Sequence, residues 1–228
     1  MTAEKISAAR MAAMIDHTFL KAFGPPGDIE TLCGQAIQYG FVAVCVHPSE
    51  VKAAAGWLAG HPSLVATVIG FPLGQNRPGV KEYEARDTIQ LGAREIDMVI
   101  NLRALQAGHH ALVGEEIAGV VKACADGNAR SKVIIETCYL TDAQKIAACK
   151  IASDAGADFV KTSTGFGTAG ATPADVRLMK SHIRPEMGVK ASGGIRDLKS
   201  ALAMVEAGAT RLGTSSGVAI MAALQPDG

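Results

Sequence analysis

Two lysines stand where lysines are seldom useful to a fold. Lys161 closes the apolar run Asp158-Phe159-Val160-Lys161 and is followed by Thr162-Ser163-Thr164-Gly165-Phe166-Gly167. Lys190 closes Gly188-Val189-Lys190 and is followed by Ala191-Ser192-Gly193-Gly194. A lysine at the end of a buried strand loses hydration, which disfavours its charged form, and a second ammonium nearby disfavours it further. The neutral amine that results attacks aldehydes and ketones and forms a Schiff base. Asp97, inside Glu95-Ile96-Asp97-Met98-Val99-Ile100, and Asp16, inside Met14-Ile15-Asp16-His17, put carboxylates into similar runs. A carboxylate beside a second lysine can shuttle the protons of iminium and enamine chemistry. Any one of these residues alone reads as a strand-end charge turned to water or as half of an ion pair. Four of them in the strands of one domain point to a site.

A second group is rich in glycine and hydroxyls. It comprises Lys190-Ala191-Ser192-Gly193-Gly194-Ile195-Arg196 and Leu212-Gly213-Thr214-Ser215-Ser216-Gly217. Glycines let backbone N–H groups approach an anion, a helix N-terminus adds its dipole, and Ser215 and Ser216 can donate hydroxyls. The bland alternative is a pair of tight turns with serine caps.

Residues of both groups need elements that bring them together. Eight short β-branched runs alternate with segments of helical period: 14–17, 41–46, 64–69, 95–100, 132–136, 158–161, 188–190 and 210–213. The helical segments include 29–39, 80–91, 142–155, 173–182 and 197–207, and Gly40, Gly92, Gly156 and Gly208 supply helix-ending glycines. Thr172-Pro173 reads as a cap followed by a first-turn proline. Strands apolar on both faces, each followed by a helix, imply a parallel sheet. Roughly 28 residues per unit suits a (β/α)₈ barrel, and a doubly wound open sheet is the alternative. The reading is one α/β domain over residues 1–228, a (β/α)₈ TIM barrel preceded by an extra N-terminal helix, MTAEKISAARMAAMIDHTFLK. In such barrels catalytic groups sit at the carboxyl ends of the strands, and phosphate sites form in the loops after strands seven and eight.

Composition narrows the partners. The 22 basic and 22 acidic side chains cancel, and no long basic run offers a surface to nucleic acid or to an anionic membrane. No apolar run reaches membrane-spanning length, and Glu4, Lys5 and Arg10 interrupt any signal-peptide core. Cys33, Cys45, Cys124, Cys138 and Cys149 are widely spaced and read as reduced, which suits the cytoplasm. Neither CxxC nor HExxH occurs, His109-His110 falls in a loop-like segment, and no metal site is expected.

With these motifs in view, the sequence resembles the deoxyribose-phosphate aldolase family of class I, Schiff-base aldolases. The resemblance rests on Ile15-Asp16-His17-Thr18, Val44-Cys45-Val46, Val68-Ile69-Gly70-Phe71-Pro72-Leu73-Gly74, Glu95 to Asn101, Lys132 to Thr137, Phe159 to Gly167 and Lys190 to Arg196. It implies reversible cleavage of 2-deoxy-D-ribose 5-phosphate to D-glyceraldehyde 3-phosphate and acetaldehyde, within deoxyribonucleotide breakdown. It implies Lys161 as the Schiff-base lysine, Lys190 as its tuning partner and a proton relay with Asp97, and Asp16 as the residue that holds Lys190. Cys45 would lie near the substrate without being essential. Gly165, Gly193, Gly194, Gly213, Ser215 and Ser216 would cradle the phosphate. No cofactor and no metal would be needed, and the chain would form a homodimer. Two features depart from the family pattern. Phe19 stands where leucine is common, a core exchange, and the sequence ends Gln225-Pro226-Asp227-Gly228 where many members carry a tyrosine. Proton transfer would then rest on Asp97 and Lys190 alone, unless that tyrosine lies outside the sequence. Another phosphate-binding barrel enzyme, such as an epimerase, and an inactive sugar-phosphate sensor remain as alternatives.

Overall fold

A computed structural model describes residues 6–224. Eight parallel strands close on themselves in sequence order: β1 (Ile15–Thr18), β2 (Ala43–Val46), β3 (Leu64–Ile69), β4 (Glu95–Val99), β5 (Arg130–Ile134), β6 (Phe159–Lys161), β7 (Gly188–Ser192) and β8 (Arg211–Thr214). Closure is made where β8 pairs with β1, Gly213 lying beside Asp16. The open doubly wound sheet is thereby excluded, and the fold is the (β/α)₈ barrel that the rhythm of the sequence predicts.

The helices are α1 (Ala8–Ala12), α2 (Asp28–Tyr39), α3 (Val51–Trp57), α4 (Pro78–Gln90), α5 (Leu102–Gln106), α6 (His110–Asp126), α7 (Asp142–Asp154), α8 (Pro173–Lys180), α9 (Leu198–Glu206) and α10 (Gly217–Ala222). Gly40, Gly92, Gly156 and Gly208 all have positive φ, the conformation in which a helix gives way to the following strand. Thr172 caps α8 by accepting from the Asp175 N–H at 3.1 Å, with Pro173 in the first turn. The helix-facing sides of the strands bury Val44, Ile96, Val133, Val160 and Val189 in one continuous aliphatic core.

The structure moves some expected boundaries. The N-terminal helix is short: Ser7 caps α1, and by Ile15 the chain is already a strand. Residues 1–5 and 225–228 lie outside the described part, and with them the first residues of the segment expected to be helical and the C-terminal end. His109 lies in the connection between α5 and α6, as the residue before that helix, whereas His110 begins α6. Lys190 does not close its strand, because β7 runs on to Ser192. Glu136 has already left β5 and takes a left-handed conformation at φ 48°. Phe19 is only half-buried, and it lines a cavity at the barrel mouth.

Candidate active site

Strand register decides which side chains share the barrel interior, because residues paired across parallel strands face the same way. Asp97 pairs with Lys132, Lys161 with Lys190, Lys190 with Arg211, and Asp16 with Gly213. Side chains alternate along β4, so Glu95 joins Asp97 on the inward face. Asp16, Glu95, Asp97, Lys132, Lys161, Lys190 and Arg211 are all buried.

They form one continuous ion-pair cluster. Lys161 and Lys190 each place Nζ 2.7 Å from the same oxygen, Asp97 Oδ2. Lys190 Nζ also lies 2.5 Å from Asp16 Oδ2. Lys132 sits 2.7 Å from Asp97 Oδ1 and 2.6 Å from Glu95 Oε2. Arg211 closes the floor, its Nη1 lying 2.6 Å from Asp16 Oδ1 and 2.7 Å from Glu95 Oε2.

These distances set the protonation states. Burial pushes the Lys161 ammonium down, and although Asp97 opposes this, the charge of Lys190 adds to it, so its pKa lies below the ordinary 10.5. Burial also works against charge on Lys190, but Asp16 and Asp97 overcome it, and Lys190 is held above its ordinary range. The two lysines therefore do not depress each other symmetrically, as their spacing in sequence suggests. Lys190 has two carboxylates and stays charged; Lys161 has half of one. The cluster itself explains the asymmetry. Four cations face three carboxylates, so neutrality is reached when one lysine gives up its proton. Lys161 is the least paired of the three lysines, and at 3% exposure the one lysine among them that solvent reaches.

Above Lys161 opens a cavity of about 580 Å³, lined on one side by Gly193, Gly194, Gly213 and Ser215 and on another by Thr164, Gly165 and Phe166. Gly193 and Gly194 have φ of 83° and 79°, conformations that favour glycine. Gly213 has a different use: a Cβ there would come within 3.0 Å of Lys190 Cε, so its missing side chain is the space in which Lys190 lies. Ser216 does not line the cavity; its N–H donates to Thr214 Oγ1 at 2.9 Å, and it stands at the start of α10. Cys45 is fully buried beside the lysines and outside the cavity wall, and burial pushes its thiol pKa up. Asp16, Asp97 and Lys190 are fully buried and do not line the cavity.

Three members of the cluster, Glu95, Lys132 and Arg211, were not anticipated, although each is a charge in an otherwise apolar run. A fourth unanticipated residue is Glu136. Its carboxylate accepts from the Thr164 N–H at 3.1 Å and from the Thr164 hydroxyl, fixing the loop after β6.

Comparison with known proteins now places the chain. Residues 10–223 match the model of the DeoC/LacD family of aldolases. The chain belongs to that family. Among its relatives, the deoxyribose-phosphate aldolase of Lysinibacillus sphaericus is 56% identical over 216 residues, covering 95% of this chain and 96% of the relative. That of Thermococcus gammatolerans is 57% identical over 213 residues, covering 92% and 95%. A tetrameric deoxyribose phosphate aldolase from Aeropyrum pernix superimposes with a TM-score of 0.89 at 36% identity, over 95% of this chain and 92% of that one. This aldolase is thus a carbon–carbon lyase built on a closed barrel. Among its described residues no cluster of His, Cys, Asp and Glu could hold a metal ion, and no helix is long and apolar enough to cross a membrane.

Proposed function

We propose that this aldolase reversibly cleaves 2-deoxy-D-ribose 5-phosphate to D-glyceraldehyde 3-phosphate and acetaldehyde through a Schiff base on Lys161. The observation that carries the reading is a buried amine of lowered pKa, sharing one carboxylate oxygen with a second lysine, under a cavity walled by glycine and hydroxyl groups. The amine attacks C1 of the open-chain sugar, and the carbinolamine loses water to give an iminium ion. The proton of the 3-hydroxyl passes through a cavity water to the Asp97–Lys190 pair. As the C2–C3 bond breaks, its electron pair moves into the iminium and leaves an enamine, and C3 becomes the aldehyde carbon of glyceraldehyde 3-phosphate. The enamine then takes a proton at C2, and water hydrolyses the iminium to free acetaldehyde and the amine. Lys190, kept charged by Asp16, adds to burial in lowering the pKa of Lys161 between turnovers.

Borohydride added during incubation with acetaldehyde tests this directly. A two-carbon adduct is expected on the peptide containing Lys161, and on no other lysine in stoichiometric amount. Labelling that persists in Lys161→Arg would remove the assignment.

The phosphate is assigned to the loops after β7 and β8, where Gly193, Gly194 and Ser215 supply backbone and hydroxyl donors. Ser215→Asp puts a carboxylate where the dianion must sit. Use of the phosphorylated sugar is expected to weaken by at least about 2 kcal/mol, roughly thirtyfold in kcat/KM. Unphosphorylated 2-deoxyribose should be affected far less. An equal loss with both sugars would mean that the phosphate is read elsewhere on the rim.

A homodimer in the cytoplasm, working without metal or organic cofactor, completes the proposal. Light scattering on the purified protein would distinguish a dimer from a tetramer like that named for the Aeropyrum pernix structure.

A further inference from the structure

Two buried charges stand apart from the barrel interior. Lys81, in α4, and Glu116, in α6, lie 2.6 Å apart in the helical layer, their side chains 0% and 1% exposed. Neither enters the chemistry assigned to Lys161. Burial pushes the Lys81 ammonium down although Glu116 opposes it, and pushes the Glu116 carboxyl up although Lys81 opposes that. Desolvation thus outweighs attraction at both ends. Such a pair is a poor source of stability, because apolar side chains of similar volume often serve as well or better.

What the pair supplies is a fixed geometry at the end of β4. Lys81 Nζ also donates to the Val99 carbonyl at 2.8 Å, and the Asn101 N–H donates to Glu116 Oε1 at 2.6 Å. Val99 is the last residue of β4, and Asn101 is the cap of α5, its side chain accepting from the Ala104 N–H. One side-chain pair therefore grips the chain on both sides of Ile100. The loop after β3 makes room for it: a Cβ on Gly70 would come within 3.0 Å of Lys81 Cε. Two residues before Val99, on the same face of β4, stands Asp97. Its Oδ2 has to meet both Lys161 and Lys190 at 2.7 Å. A shift of the strand end would carry Asp97 with it and spoil both contacts.

We propose that Lys81 and Glu116 are positioning residues for the aldolase reaction, clamping the end of β4 so that Asp97 keeps both lysines on one oxygen. The inference rests on the Schiff-base reading of Lys161 and deepens it by assigning what holds the proton relay in place. A displacement of about 1 Å that originates far from the reacting atoms can cost about a hundredfold in rate.

The variant Lys81→Met/Glu116→Leu replaces both charges with apolar chains. Sugar cleavage is measured per Lys161 trapped with acetaldehyde and borohydride, so that unfolded protein is not counted. In this variant kcat should fall at least about tenfold. KM for the phosphorylated sugar should change little, because the phosphate is assigned to the loops after β7 and β8. Lys81→Met/Glu116→Gln returns an acceptor to the Asn101 N–H and should recover part of the lost kcat. A kcat per trapped site equal to the wild type in both variants, whatever their stability in urea, would make the pair structural only. That result would overturn this inference and leave the Schiff-base reading intact. No adduct on Lys161 in the wild type would overturn both.

Discussion

Lys190→Met is expected to lower the rate of sugar cleavage at least about a hundredfold, the scale on which a positioned proton-transfer group acts. The substitution keeps an unbranched chain in the space left by Gly213, where a Cβ would come within 3.0 Å of Lys190 Cε. It removes the charge that adds to burial in depressing Lys161. Lys161 should then hold its proton to higher pH. Since the reaction needs the neutral amine, activity is lost as pH falls through the pKa of Lys161, and that acidic limb should move upward in the variant. Measuring kcat/KM against pH separates the two roles of Lys190. A hundredfold loss with the limb unmoved would mean proton relay without tuning. Near-normal turnover would make Lys190 a structural ion pair only.

Asp97→Asn should act chiefly on the fold. Asp97 bonds three ammonium groups, Lys132 at one oxygen and Lys161 and Lys190 at the other, all of them buried. Breaking a buried ion pair from one side costs about 3–5 kcal/mol, because the remaining charges keep the cost of burial without their partner. The amide cannot match the site, since its NH₂ group points a donor at donors. Urea unfolding at neutral pH would read the loss. Its pH dependence follows from the folded state: burial pushes the Asp97 carboxyl up, but Lys132, Lys161 and Lys190 overcome this and hold it well below the ordinary 3.8. A depressed carboxyl contributes its full stability above 3.8, and that contribution fades as pH falls through the folded value. The wild-type and variant unfolding curves should therefore converge in acid. A variant as stable as the wild type at pH 7 would show that the cluster rearranges around the missing charge.

Much of this arrangement is legible in the sequence, for a physical reason. A charged residue inside a β-branched run has no cheap place in a parallel sheet, so Asp16, Asp97, Lys161 and Lys190 stand out against their neighbours. The same signal marks Lys132, Glu95 and Arg211, yet each opens its strand or lies near its start. There a charge is as easily turned to water at the barrel's bottom as sent inward. Register settles which, and register is a property of the closed sheet. The direction of the Lys190 shift was likewise out of reach. Two lysines near each other suggest mutual depression, and the 2.5 Å contact with Asp16, added to that with Asp97, reverses this for one of them. Gly213 illustrates a further limit. A glycine in a hydroxyl-rich loop reads as an anion cradle, whereas here it also makes room for a neighbouring strand's side chain. The edge-to-face contact of Phe71 and Phe166, in the loops after β3 and β6, joins segments distant in sequence and has no local trace.

The pairing of Arg211 with Asp16 joins residues 195 positions apart, and the β8–β1 seam joins the strands nearest the two ends of the barrel. Contacts of such long sequence separation form late, after the entropy of closing the intervening chain has been met. On the ribosome, a nascent chain that has not yet extruded Arg211 has three carboxylates and three lysines of the cluster. The last strand delivers the fourth cation. The charged interior is thus complete only when the last strand has been laid against the first, so a chain stopped short of β8 leaves Asp16 and Glu95 each without a partner that the finished ring supplies.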